Sequence, residues 1–84
     1  MNPHKNSTHP QIIARLKRAH GHLAKVIAML DDQEPCPDIA QQLFAVEKAI
    51  TNAKRTLIHD HVDHCLASGD ADSVDAFKAI TKYL

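Results

Sequence analysis

Apolar residues recur in alternating steps of four and three along two long stretches of this 84-residue sequence. The first stretch contains Ile12, Leu16, Ala19, Leu23, Val26 and Leu30. The second contains Ile39, Leu43, Val46, Ile50, Ala53 and Leu57. Such steps place the residues on one face of an α-helix, because the helix turns once every 3.6 residues. The pattern therefore predicts two amphipathic helices.

Proline, acidic and glycine residues mark the expected ends of these helices. Pro10 is a favourable first helical residue, and the acidic segment 31–35 ends the first helix. The second helix is expected to begin near Cys36 and to continue to Gly69. A helix of roughly 30 residues is about 45 Å long. Because a single small domain cannot cover that length, we expect a second copy of the chain to cover the rest.

A third, shorter helix is expected from Asp72 or Ser73 to the C-terminus. The predicted fold class is therefore all-α, with a three-helix protomer made of a long helical hairpin and a short C-terminal helix. We expect a flexible, histidine-containing N-terminal arm at residues 1–9 and a single all-helical domain at residues 10–84. With two Phe, one Tyr and no Trp, aliphatic side chains must form the core, which suits interlocking helices.

The net charge is zero, but the charged residues are unevenly distributed. Residues 1–30 contain five basic residues and no acidic ones, whereas all ten acidic residues follow. A basic first third is a weak indication of nucleic-acid binding, and a solvated helix face explains it equally well. No apolar run has the length of a membrane span, and the first ten residues lack the apolar core of a signal peptide. We therefore expect a cytoplasmic protein without membrane association.

Two cysteines and seven histidines are the most informative residues chemically. In the cytosol, cysteines are more often ligands or reactive thiols than parts of a disulfide. His61 and Cys65 are about one helical turn apart and form a potential chelating pair. Cys36 precedes His61 by 25 residues. That is about 37 Å along a continuous helix, so the two residues cannot bind one ion within one chain.

Two antiparallel copies of the second helix would bring Cys36 of one chain beside His61 and Cys65 of the other. A two-fold axis would then create two equivalent sites per dimer. The first helix runs back antiparallel and starts near the same end, so His4 and His9 lie within reach of this site. The expected metal ligands are Cys36, His61, Cys65 and His4, with His9 and His64 as further candidates.

The sequence resembles the CsoR/RcnR-type transcriptional repressors, which sense metals. The resemblance rests on the ligand spacing just described and on three segments, residues 15–21, 41–47 and 54–66. It covers nearly the whole chain. It implies an antiparallel dimer that pairs into a tetramer, and it implies that residues 10–84 bind DNA and sense the metal without a helix-turn-helix.

The resemblance also implies that basic residues of the first two helices contact operator DNA, mostly at its phosphates. By position these residues are Arg15, Lys17, Arg18, Lys54 and Arg55. His20 and His22 are expected at the surface or facing DNA rather than at the metal. For His59 and His64, a structural or solvated role is as much expected as a functional one. The implied partners are double-stranded operator DNA and further copies of the chain, with no small-molecule substrate.

The residues around the predicted ligands bear on which metal is sensed. Two thiolates and an imidazole suit Cu(I). Copper-sensing members of the family usually carry a Tyr before the first Cys and a Glu on the third helix, whereas Pro35 and, approximately, Thr81 stand there in this sequence. Nickel and cobalt sensors recruit a residue near the N-terminus, and His4 has the matching offset from Cys36. The resemblance therefore favours the nickel/cobalt-efflux regulators, with Ni(II) or Co(II) as effector, Cu(I) as the alternative and Zn(II) compatible with the same donors.

The expected function is a repressor that holds promoter DNA without metal and releases it when Ni(II) or Co(II) binds, which derepresses metal efflux. The alternatives are a Cu(I)-sensing repressor with the same site and a persulfide or thiol sensor that joins Cys36 to Cys65 of a second chain. His61 argues against the thiol sensor, because thiol exchange needs no imidazole there. The basic first helix argues against a metal-storage bundle. An enzyme is not expected, because the sequence has no HExxH motif, no Gly-rich phosphate loop and no nucleophile–base pair outside the Cys/His cluster.

Overall fold

The computed structural model describes residues 8–68 and 71–84, and within its helices the side chains at positions 65, 66, 68 and 71–73 are not described. In this part of the chain it contains three helices, α1 (His9–Asp31), α2 (Cys36–Ser68) and α3 (Ala71–Thr81). The predicted all-α protomer, with its long hairpin and short third helix, is confirmed. Residues 1–7 of the predicted arm, which include His4, lie outside the described residues.

The turn between α1 and α2 is closed by the bond pattern of a Schellman motif. The N–H of Glu34 donates to the carbonyl of Met29 over 3.0 Å, and the N–H of Gln33 donates to that of Leu30 over 3.1 Å. These two bonds satisfy carbonyls that the helix end leaves without partners. Gln33 adopts a φ of 55°, the left-handed conformation that this motif requires and that glycine usually provides. The chain thereby reverses direction within four residues.

The helix α2 begins at Cys36 and spans the length of the molecule. The carbonyl of Pro35 accepts bonds from the N–H groups of Asp38 and Ile39 at 3.0 and 3.1 Å. Pro37 and Asp38 suit the first turn, because proline lacks the N–H that has no partner there and an acidic side chain complements the helix dipole. With 33 residues, α2 has about 50 Å of length. The part of the molecule that the structure describes measures 53 × 29 × 13 Å.

The helix α1 runs antiparallel to α2, as two side-chain bonds between them demonstrate. Arg15 bonds to Thr56 and His22 bonds to Gln42, so the later residue of α1 lies beside the earlier residue of α2. The core between the two helices is narrow. Its buried residues are Ile12, Ala19, Val26 and Met29 of α1, and Ile39, Val46, Ala53 and Ile58 of α2.

Each predicted apolar stripe divides into a buried row and an exposed row. On α1 and α2, every second residue of the stripe is buried, for example Val26 and Val46, each 2% exposed. The intervening residues are open to solvent, for example Leu43 at 49% and Ile50 at 46%. A layer of helices only 13 Å deep covers one row of each stripe and leaves the other row uncovered.

We call the uncovered side of the hairpin the apolar face. It consists of Ile13, Leu16, Leu23, Ile27 and Leu30 of α1, and Leu43, Ile50 and Leu57 of α2. A contiguous patch of this kind marks an interaction surface more often than a solvent-facing one.

The helix α3 packs against α2. It starts one or two residues before the expected cap, and it ends at Thr81 instead of continuing to Leu84. There the N–H groups of Tyr83 and Leu84 donate to carbonyls three residues back, at 3.0 and 3.2 Å, which tightens the backbone out of the α-helical pattern. None of the described helices is apolar over a length sufficient to cross a membrane.

Candidate functional site

The predicted metal ligands lie far apart along α2. Cys36 is the first residue of the helix and carries an exposed, free thiol. His61 is half-buried near the other end, and Cys65 follows four residues later, with a side chain outside the described part of the structure. Among the described residues of one protomer, no group of three or more His, Cys, Asp or Glu side chains can hold a metal ion. One protomer therefore does not bring Cys36 and His61 together.

Cys36 and His61 nevertheless share a face of α2. At 100° per residue, they fall within about 60° of Leu43, Ile50 and Leu57 around the helix axis. The two candidate ligands therefore stand at the two ends of the α2 part of the apolar face. Ile50 is the midpoint of this arrangement, because Leu43 and Leu57 are each seven residues away from it.

The histidines predicted as further donors near the His61 end of α2 belong to different parts of the chain. His9 is the first residue of α1 and is exposed, and His64 is exposed on α2. His4 lies outside the described residues. The identity of a ligand beyond Cys36, His61 and Cys65 therefore stays a prediction.

An open groove of about 730 Å³ lies between α1 and α2, on the side turned away from the apolar face. Three of the five predicted DNA-binding residues line it, namely Arg15, Arg18 and Arg55. Lys17 and Lys54 are not among its lining residues. The helical repeat explains the difference, because Lys17 lies about 160° from Arg15 around α1 and Lys54 lies about 100° from Arg55 around α2.

Polar residues of α2 that sequence reasoning did not single out for this role also line the groove. They are Asn52, Thr56, His59, Asp60 and Asp63. A pattern that could have identified most of them is present, because Asn52, Thr56, His59 and Asp63 recur in steps of four, three and four. This polar stripe has the same spacing as the apolar one and follows another face of the same helix.

Side-chain hydrogen bonds of Arg15 and His22 join α1 to α2 along this polar side. Arg15 Nη1 donates to Thr56 Oγ1 over 3.3 Å, and the imidazole Nε2 of His22 donates to Gln42 Oε1 over 2.6 Å. The second bond is partly buried. His22 lines the groove, whereas His20 is exposed and is not among the lining residues. The sequence predicts the same role for both histidines, but the structure places them in different surroundings.

The charges in the groove are unevenly placed. Arg15, Arg18 and Arg55 lie along its middle and toward the end nearest His22, whereas Asp60 and Asp63 lie with Thr8 toward the start of α1. At that acidic end, Asp60 Oδ2 and Thr8 Oγ1 are buried and make no hydrogen bond to any residue that the structure describes. An anion is therefore attracted to the arginine part of the groove and repelled from the acidic end.

Comparison with known proteins identifies the family. The family model described as "Metal-sensitive transcriptional repressor" matches residues 8–84. The chain belongs to this family. The resemblance to metal-sensing repressors is confirmed at that level, and so is the expectation that the chain is not an enzyme, because the family consists of transcriptional repressors.

Individual relatives agree with the family assignment. The chain is 35% identical over 96 aligned positions to the copper-sensing transcriptional repressor CsoR of Bacillus subtilis. The alignment covers 96% of this chain and 95% of that protein. It is 38% identical over 58 positions to CsoR of Mycobacterium ulcerans, and this alignment covers 69% of this chain and 50% of that protein. The copper-sensing repressor RicR of Mycobacterium tuberculosis is 28% identical over the same share of the chain. No solved structure matches the chain significantly.

Proposed function

We propose that this chain represses transcription as a DNA-bound oligomer and releases the DNA when a transition metal binds between its subunits. The observation that carries the proposal is that Cys36 and His61 stand at opposite ends of one exposed apolar face. A two-fold axis near Ile50 would pair Leu43 of one chain with Leu57 of the other. The same axis would set Cys36 beside the turn that contains His61 and Cys65.

Burial of the apolar face supports the dimer. Ile13, Ile27 and Leu30 are each more than half exposed in the single chain, and Leu43 and Ile50 nearly so. An antiparallel second copy would cover the apolar face that the thin protomer leaves exposed. The two hairpins would then form a four-helix bundle of two packed layers. Exposed apolar residues outside this face would serve the pairing of dimers into a tetramer; they are Phe44, Val74, Tyr83 and Leu84.

The metal site would take Cys36 from one subunit and His61 and Cys65 from the other, with His4, His9 or His64 as a further donor. Two thiolates and one imidazole form a soft donor set of the kind that Cu(I) prefers. Relatives from two bacterial genera are named copper-sensing. We therefore favour Cu(I) over the Ni(II) or Co(II) expected from the sequence. Ni(II) and Co(II) remain the second candidates, and they depend on His4 as a ligand.

The groove would hold the phosphates of operator DNA. Arg15, Arg18 and Arg55 converge on it from both helices, and a guanidinium can bind a phosphate through two parallel N–H bonds. The helix α2 connects this groove to the metal site, because His59, Asp60 and Asp63 line the groove on the same turns that carry His61. A metal that rearranges these turns would change the groove. A coupling of about 1–3 kcal/mol would lower DNA affinity 5- to 150-fold, and DNA would weaken metal binding by the same factor.

Two variants test whether DNA binds in the groove rather than to exposed basic residues in general. Arg18→Ala is expected to weaken DNA binding about tenfold or more and to reduce the slope of log affinity against log salt by about one, because it removes a charged phosphate contact. Lys17→Ala removes the same charge from the neighbouring exposed position and is expected to change the affinity less than about twofold. Fluorescence anisotropy at several salt concentrations measures both quantities. Equal losses in the two variants would reject the groove as the DNA interface.

A titration of the DNA complex tests the whole proposal. The reduced, metal-free protein is bound to fluorescent DNA from upstream of its own gene, and Cu(I), Ni(II), Co(II) and Zn(II) are added separately. Release by Cu(I) at the lowest concentration is expected. Release by Ni(II) or Co(II) alone would support the sensor and reverse the choice of metal. Failure to bind the DNA at all would reject the repressor, and release only by a polysulfide would support the thiol sensor.

A further inference from the structure

We propose that Thr56 is a positioning residue that holds Arg15 in the groove for contact with DNA phosphate. Arg15 extends from α1, and its Nη1 donates to the hydroxyl oxygen of Thr56 on α2 over 3.3 Å. The inference rests on the proposed DNA binding, and it assigns a role to a side chain that itself carries no charge.

The hydrogen-bond inventory of Thr56 defines what it can do. A threonine hydroxyl has one hydrogen to donate and two lone pairs that accept. The hydrogen of Thr56 is directed to the backbone carbonyl of Asn52, one turn earlier, with an oxygen–oxygen distance of 3.0 Å. The hydroxyl oxygen is thereby fixed in orientation, and it is available to accept from Arg15. The carbonyl of Asn52 thus orients Thr56, and Thr56 orients Arg15.

The consequence for Arg15 is preorganisation. A free arginine side chain at an exposed position samples many rotamers, and ordering it on a ligand costs free energy. The bond to Thr56 restricts this sampling before DNA arrives. It occupies one of five N–H donors of the guanidinium and leaves the others for phosphate oxygens. Arg15 is therefore held over the same groove that Arg18 and Arg55 line.

The bond also spans the two helices of the hairpin close to the metal-binding turns. Thr56 precedes His61 by five residues on α2, while Arg15 belongs to α1. A displacement between α1 and α2 would change the distance from Arg15 to Thr56 directly. Through Thr56, a shift of α2 against α1 would therefore change the position of the Arg15 guanidinium in the groove.

The test measures DNA affinity of the full-length, reduced, metal-free protein on its own upstream DNA by anisotropy. Thr56→Val keeps the side-chain shape and removes the hydroxyl, and it is expected to weaken binding about three- to tenfold. Thr56→Ser keeps the hydroxyl and is expected to bind within about twofold of the unmodified chain. Thr51→Val, the same change at a half-buried α2 position outside the groove lining, is the matched control and is expected to leave the affinity unchanged.

A double-mutant cycle decides whether Thr56 acts through Arg15. In an Arg15→Ala background, Thr56→Val is expected to cause no further loss of affinity. An equal loss in both backgrounds, or no loss in either, would overturn the inference. Thermal unfolding of each variant, with Thr56→Ala as a second hydroxyl-free variant, identifies any loss of affinity that comes from unfolding. If the unmodified chain binds no DNA, the proposed function itself fails, whereas binding that depends on Arg15 but not on Thr56 rejects the positioning role alone.

Discussion

Cys36→Ala is expected to leave DNA binding by the metal-free protein unchanged within about twofold and to abolish release of the DNA by metal. Cys36 lies at the loop end of α2, far from the arginines of the groove, so its removal should not disturb the DNA contacts. Loss of a directly coordinating thiolate is expected to lower metal affinity at least about 100-fold, because loss of outer partners alone costs 10- to 100-fold. Anisotropy with added Cu(I) and a competition assay with a Cu(I) chelator measure the two effects. Gln41→Ala, at an exposed position further along α2, serves as the control.

Mixing two defective variants tests whether the site is shared between subunits. A protein with Cys36→Ala and a protein with His61→Ala are each expected to bind no metal tightly. A mixed dimer would retain one complete site, formed by Cys36 of one chain and by His61 and Cys65 of the other. Metal binding should therefore return to about half a site per chain in the mixed dimers after co-refolding. If the mixture binds no better than its components, the ligands do not come from different subunits.

Ile50→Asp is expected to break the oligomer into monomers. Ile50 is 46% exposed in the single chain, and it lies at the centre of the proposed dimer interface. Two-fold symmetry would bring two aspartates together in an apolar contact, and an unpaired buried charge costs about 3–5 kcal/mol. Dimerisation should weaken at least about 100-fold, and metal and DNA binding should be lost with it. Sedimentation equilibrium over a range of concentrations measures the change.

A matched variant isolates the apolar face from the general effect of added charge. Gln41→Asp introduces the same side chain at an exposed position on α2, about 180° around the helix from Ile50. It is expected to keep the oligomeric state of the unmodified chain. An Ile50→Asp protein that sediments as the same oligomer would show that the chains associate through another surface, and the intersubunit site would then need a different arrangement.

Much of the secondary structure could be derived from the sequence, because its determinants are local. Steps of four and three in the apolar residues specify a helix, and Pro10, Pro37 and the acidic turn mark the helix ends. The α2 bounds agree with the expectation to within a residue or so. The predicted end of α3 was less accurate. The last two residues donate i→i−3 bonds instead of continuing the α-helix, and no strong sequence pattern marks where a helix frays at a chain terminus.

The candidate metal ligands were also accessible from the sequence, since spacing along a helix is a one-dimensional property. Cys36 and His61 had to be far apart once the helix was continuous, and the structure of the protomer agrees with that separation. The choice of metal was less accessible. It depends on the donors that complete the site, and the relatives named copper-sensing favour the alternative over the nickel or cobalt expected first.

The sequence by itself therefore determined the helices, their ends, the spacing of the thiols and imidazoles, and the family. Only the tertiary structure decided which row of each apolar stripe is buried, because that depends on the rotation of α1 against α2. The same rotation separated Arg15, Arg18 and Arg55, which line the groove, from Lys17 and Lys54, which do not. It also brought Thr56 to Arg15 across 41 positions of sequence. Periodicity specifies the face of a helix, but the packing of a second helix decides what that face meets.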